Sequence, residues 1–175
     1  MAEIMLTGSG GQGMILAGII LAKAGIKDGL HVTQTQSYGP EARGGASRAE
    51  VILDTDEIDF PKVTLADVIL AMTQEAADKF TYKLKPGGTL IVDPMHVHTV
   101  PQVDGKVYAV EITKLAKEAT GKTVSANIVA LGAMNKACGL VSPEALAEAV
   151  AASVPKGTEA TNQKALDAGI AAVGA

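Results

Sequence analysis

Tryptophan is absent from this 175-residue chain, only 3% of its residues are aromatic, and Cys138 is its single cysteine. The core must therefore come from Val, Ile, Leu, Ala and Met, and 47% hydrophobic residues suffice to bury a sizeable one. One thiol makes no internal disulfide. Nor does it hold an iron–sulfur cluster, which takes about four thiolates. Cys138 falls in the apolar stretch 129–140 and reads as a small buried hydrophobe rather than a reactive thiol. There is no basic tract and the net charge is −4, which argues against a dedicated nucleic-acid binder. The apolar run 14–22 is too short to span a membrane and meets Lys23, and the N-terminus has no signal-peptide pattern. The expectation is a cytoplasmic chain forming one domain over 1–175. Its mean hydropathy of +0.24 is high for a small chain. That predicts an exposed apolar face through which the isolated chain forms a homodimer.

The first two-thirds of the chain alternates between strand and helix patterns. A strand over 3–6 runs into Thr7-Gly8-Ser9-Gly10-Gly11-Gln12-Gly13 and then a long apolar helix beginning at Met14. Strands follow at 30–34, at 47–53 (alternating in period two, hence half-exposed), at 67–72, at 89–93 and at 106–112. Thr73 is placed to cap a helix over 74–84, after which Pro86-Gly87-Gly88 reads as a turn. The remainder is helical: 113–120, ending at Gly121, then 125–138, then Ser142-Pro143 opening a helix to 154, then 159–173. The helix over 125–138 is apolar nearly all round and should be the most buried. This pattern predicts an α/β fold: a Rossmann-like layered domain with a mostly parallel sheet and helices on both faces.

Gly8, Gly10 and Gly13 stand in G-x-G-x-x-G spacing between a strand and a helix, the context that gives this motif meaning. Glycines let a ligand approach bare backbone, and the helix N-terminus offers amides and a positive dipole end. An NAD site also wants an acidic residue at the end of the second strand, but that position falls among Thr33, Gln34, Thr35 and Gln36. A P-loop lysine is missing as well, since Gly13 is followed by Met14 and Ile15. The second notable loop is Ser37-Tyr38-Gly39-Pro40-Glu41-Ala42-Arg43-Gly44-Gly45. It leaves the second strand at the edge that carries the glycine turn, so the two are expected to be neighbours. Arg43 beside two glycines suits a phosphate or carboxylate. His96 and His98 would share a face if extended, yet no further ligand is near and zinc takes about four. The stretch 93–98 therefore reads as a strand-end loop.

The pairing of Gly8-Ser9-Gly10-Gly11-Gln12-Gly13 with the Ser37–Gly45 motif resembles the gamma subunit of the 2-oxoacid:ferredoxin oxidoreductases. The likeness runs through Ala66-Asp67-Val68-Ile69-Leu70, Pro86-Gly87-Gly88, Asn127-Ile128-Val129-Ala130-Leu131-Gly132 and Asn162-Gln163-Lys164-Ala165, and so covers nearly the whole chain. The indolepyruvate oxidoreductase beta subunits carry a similar domain. The resemblance implies oxidative decarboxylation of a 2-oxoacid to an acyl-CoA with reduction of ferredoxin. It favours 2-oxoglutarate over pyruvate, because the short free-standing gamma chain and its loop look like that branch.

The family reaction uses thiamine diphosphate, magnesium, iron–sulfur clusters and, as substrate, coenzyme A. This chain has too few cysteines for a cluster, and Val103-Asp104-Gly105-Lys106 is not the G-D-G tract that holds the magnesium of thiamine diphosphate. The resemblance thus implies a non-autonomous subunit, with no catalytic or metal-binding residue of its own. Its partners would be alpha and beta subunits, with a delta subunit as a further candidate, and ferredoxin reached through the complex. The resemblance implies that this domain packs beside the thiamine-binding subunits. Loop chemistry, since coenzyme A is an anionic nucleotide derivative, points to Gly8, Gly10, Gly11, Gln12, Gly13, Ser37, Tyr38, Gly39, Glu41, Arg43, Gly44 and Gly45 as lining its approach. The alternative is a free-standing Rossmann-like nucleotide-binding protein or reductase.

Overall fold

The computed structural model describes residues 1–37 and 46–174. Its strands are β1 (Ala2–Ser9), β2 (His31–Gln36), β3 (Ala46–Asp54), β4 (Ala66–Ala71), β5 (Leu84–Val92) and β6 (Gly105–Ala109). Its helices are α1 (Met14–Lys27), α2 (Gln74–Phe80), α3 (Ile112–Thr120), α4 (Ala126–Cys138), α5 (Pro143–Ser153) and α6 (Glu159–Ala172). The six strands form one sheet in the order β2-β3-β1-β4-β5-β6. The pairings β1–β4, β4–β5 and β5–β6 are parallel, whereas β3 runs antiparallel to both β1 and β2. Five strands therefore point one way and only β3 opposes them. This is the mostly parallel α/β layering that the alternating pattern predicts.

Side-chain alternation splits the core in two. Ile4, Leu6, Val51, Leu53, Leu70 and Ile91 face the larger cluster, shared with α1 and α3 to α6. Met5, Ile52, Ile69, Leu90 and Val92 face the smaller one, with Ala76, Ala77 and Phe80 of α2 and Val63 of the loop before β4. Both faces are thus covered, five helices on one and a single short helix on the other. The strand expected to be half-exposed, β3, is buried on both faces. Its polar Glu50 is only 5% exposed. That carboxylate is tolerated there because the Thr35 hydroxyl and the Val63 amide each donate to it at 3.2 Å, and Arg48 Nε lies 3.2 Å away.

Residues 126–135 of α4 are all buried, so the helix is enclosed as its all-round apolarity predicts. It crosses α6 at very short range. A Cβ on Gly132 would run into the Leu166 carbonyl oxygen, and one on Gly169 into that of Val129. These two glycines allow backbone to pack on backbone. At the start of α5, Ser142 Oγ accepts from the Ala145 amide at 3.2 Å and donates to Asp28, just after α1, at 2.6 Å.

β1 and β2 run on to Ser9 and Gln36, beyond the strands read over 3–6 and 30–34, and three further boundaries differ from the sequence reading. The α2 helix stops at Phe80 and gives way to one 3₁₀ turn, Thr81–Lys83, because Leu84 already pairs with Ala66. Pro86-Gly87-Gly88 consequently lies inside β5, where the register shifts, instead of forming a turn before it. Ile112 begins α3 and does not end a strand. The fully buried Asp93 draws the chain over there by accepting from the Thr113 amide at 2.8 Å and its hydroxyl at 2.5 Å. The same carboxylate accepts from the Met95 amide, and His96 Nε2 lies 3.2 Å from Thr113 Oγ1. Residues 93–96 are therefore a turn organised by Asp93. Cys138 is half-buried, and burial pushes its thiol up, against the smaller pull of Thr89 and Lys106.

Candidate functional site

The glycine motif is divided between strand and turn. Gly8 lies inside β1, opposite Ser47 of β3. A side chain there would strike Gln12 Oε1, because the Gln12 amide folds back beneath the turn. Gln12 Oε1 accepts from the Ser9 amide at 2.8 Å, and its Nε2 donates to the Met72 carbonyl at 3.3 Å. Gln12 thus staples the end of β1 to the end of β4. Gly10 is exposed in the turn. Gly11 and Gly13 have φ of +89° and +76°, a left-handed backbone that an L side chain strains. Gly13 is the N-cap of α1; no side chain caps that end, and no acidic residue stands in its first turn.

A cavity of about 480 Å³ opens beside this turn. Gly11, Gly13 and Leu16 form one wall. The opposite wall comes from the ends of the C-terminal helices, including Lys122, Asn127, Val154 and Asn162. Asn127, 5% exposed, donates from Nδ2 to the Gly13 carbonyl at 3.3 Å and so ties α4 to the glycine turn. Asn162 anchors α6 by donating to the Thr158 carbonyl at 3.0 Å and its hydroxyl at 3.1 Å. One cation, several amides and hydroxyls, bare glycine backbone and an apolar floor suit an anionic ligand with an apolar body.

The described residues flanking the second loop lie at two different places: Ala46, which follows it, pairs with Ser9 beside the glycine turn, and Ser37 opens it at the end of β2. Because β3 is inserted between β1 and β2, the end of β2 is two strands away from the glycine turn. Ser37 does lie at that sheet edge, its amide donating to the Arg48 carbonyl at 3.0 Å, but it lines a separate cavity. Tyr38, Gly39, Glu41, Arg43, Gly44 and Gly45 fall outside the described residues. Asn127, Asn162 and Lys122 were absent from the sequence-derived site. Asn127 and Asn162 nonetheless open two of the stretches that carry the resemblance, and that was the available signal.

The layered sheet and its edge cavity define a Rossmann-like α/β domain. The chain belongs to the pyruvate ferredoxin/flavodoxin oxidoreductase family, which it matches over residues 3–172. It is similar to the 2-oxoglutarate synthase subunit KorC of Methanothermobacter marburgensis, with 49% identity over 95% of this chain and 94% of that one. Among solved structures it resembles the keto/oxoacid ferredoxin oxidoreductase gamma subunit of Geobacter sulfurreducens. The TM-score is 0.89 at 45% identity, over 98% of this chain and 97% of that one. It also resembles part of the 2-oxoglutarate:ferredoxin oxidoreductase of Magnetococcus marinus, solved with 2-oxoglutarate, coenzyme A and succinyl-CoA bound. There the TM-score is 0.87 at 27% identity, over 97% of this chain and 30% of that one. Among the described residues no group of three or more His, Cys, Asp or Glu is arranged to hold a metal ion. No helix among them is long and apolar enough to cross a membrane.

Proposed function

We propose that this chain is the gamma subunit of a 2-oxoacid:ferredoxin oxidoreductase, acting on 2-oxoglutarate in preference to pyruvate, and that its glycine-turn cavity receives coenzyme A. The observation that carries the first part is the 49% identity to KorC across nearly the full length of both chains. The second part is supported by the cavity itself. Gly11 and Gly13 expose backbone, the α1 N-terminus offers amides free of any side-chain cap, and Lys122 supplies a cation. That combination suits the phosphate-bearing part of coenzyme A. Leu16, Val124 and Ile128 suit its apolar contacts. Thiamine diphosphate, magnesium and the iron–sulfur clusters are assigned to alpha and beta partners, with a delta subunit also expected, because a single cysteine cannot ligate a cluster. The chain's part in the reaction is to bind and orient the thiol substrate; decarboxylation and electron transfer to ferredoxin take place on the assembly.

The test compares the purified chain with the reconstituted complex. The chain alone is expected to bind coenzyme A and to show no turnover with 2-oxoglutarate, coenzyme A and an electron acceptor; the complex should turn over. Lys122→Ala in the complex should raise the KM for coenzyme A about tenfold or more, the loss of one charge-assisted contact, with kcat retained. Turnover by the chain alone would sink the subunit reading. An unchanged KM would sink the cavity assignment. A preference of the complex for pyruvate would overturn the substrate choice.

A further inference from the structure

On the α2 side of the sheet, near the end of β2, lies a second cavity of about 330 Å³. Its wall brings together Arg48, Lys62, Lys83, Glu50, Thr35 and Ser37. Among the described residues of this wall three cations face one carboxylate, an excess of two positive charges in a chain whose net charge is −4. Glu50 is already satisfied: it is 5% exposed, accepts from Thr35 and from the Val63 amide, and fixes Arg48 through Nε. The Arg48 guanidinium also lies 5.5 Å from the centre of the Phe80 ring, so two contacts hold it in place before any ligand arrives. Among the described residues Lys62 and Lys83 have no ion-pair or hydrogen-bond partner, in a chain with 19 acidic side chains. Lys83 is held there by the 3₁₀ turn after α2, and Lys62 by the loop that buries Val63. A fixed planar guanidinium, two free ammonium groups and the Ser37 hydroxyl make the donor set of an oxyanion site.

We propose that this cavity binds a small dianion, one that carries a phosphate or two carboxylates. The site lies on the opposite face of the sheet from the helices that wall the glycine-turn cavity, and its existence does not depend on the coenzyme A assignment. The test is an amide-resolved NMR titration of the full chain with inorganic phosphate and, separately, with glutarate, each against potassium chloride at equal ionic strength. Saturable shifts centred on Thr35–Ser37, Val63 and Lys83 are expected with one of the dianions, at a Kd on the order of 1 mM. Whichever dianion binds tells whether phosphate or dicarboxylate chemistry is recognised. The double variant Lys62→Ala/Lys83→Ala should raise that Kd at least tenfold without lowering the melting temperature of the anion-free chain. If the double variant folds poorly, Lys83→Ala alone should still raise the Kd several-fold. Three results overturn the proposal: shifts that chloride reproduces, binding that survives the lysine substitutions unchanged, or saturable shifts confined to residues 10–16.

Discussion

Gly11→Ala and Gly13→Ala make a matched pair, because both place alanine at positive φ, +89° and +76°, in the same turn. A left-handed alanine costs about 1–2 kcal/mol. At Gly11 that is the whole expected effect, since nothing lies within 4 Å of the added Cβ. At Gly13 the Cβ would sit 2.6 Å from Asn127 Nδ2 and 3.0 Å from its Cγ, so the amide must swing away. Asn127 is 5% exposed, and its Nδ2 would then lose the Gly13 carbonyl. An unpaired buried amide costs about 1–3 kcal/mol. The carbonyl itself keeps the Ala17 amide at 2.9 Å, so only the donor is stranded. Gly13→Ala should therefore cost about 2–5 kcal/mol, and Gly11→Ala about 1–2. For a chain of this size the former corresponds to a Tm lower by about 4–20 °C. Urea unfolding followed by circular dichroism measures both. Combining Gly13→Ala with Asn127→Ala removes the colliding group, and the double-mutant cycle should return a coupling of about 1–3 kcal/mol. Equal costs for the two glycines, within about 0.5 kcal/mol, together with no coupling to Asn127, would refute the claim that Asn127 locks the turn to α4.

Gln12→Ala removes the staple between β1 and β4 and should destabilise by about 1–3 kcal/mol, with faster hydrogen exchange at the Ser9 amide; unchanged protection there would refute the staple. At Lys85, burial works against the charge, but hydrogen bonds to Glu3 and Asp67 and their negative charges outweigh it and raise the ammonium pKa. The stability this ammonium contributes is complete below its unfolded value of about 10.4 and is lost as pH climbs through the higher folded value. The gap in urea midpoint between wild type and Lys85→Met should therefore be constant near neutrality and shrink above about pH 10.5, and a gap that stays flat through that range contradicts the ion cluster.

Local signals made much of this fold legible. Thr73 caps α2 through the Ala76 amide, Ser142 with Pro143 opens α5, and Gly121 closes α3 in a left-handed conformation. The failures all came from long-range partners. Arg48 and Glu50 alternate with the apolar Ala49 and Val51 as on a half-wet strand, but α1 covers one face of β3 while α2 and the loop carrying Val63 cover the other. Nothing near Ile112 in sequence announces that Asp93, in the turn just after β5, will hold Thr113 and start a helix. The site divides along the same line. The glycine turn was visible from its own spacing. Its far wall at Lys122, Asn127 and Asn162 needs the helix ends to be brought together by packing, and pattern reading along the chain does not encode that convergence.

The glycine-to-backbone crossing of α4 and α6 also shapes how the chain is made. Because α4 is apolar nearly all round and buried from 126 to 135, it has little solvent-facing surface to show while it waits for its cover. Its cover, α6, is translated last among the described elements, after α5. At about 5–20 residues per second, the ribosome leaves the interval between them at a few seconds, far longer than the microseconds in which helices form. During that interval a nascent chain carries an oily rod with no partner, a natural client for a holding chaperone. Early termination before Glu159 would make the exposure permanent, so truncated products should be cleared by proteolysis or aggregate rather than accumulate as folded, inactive protein.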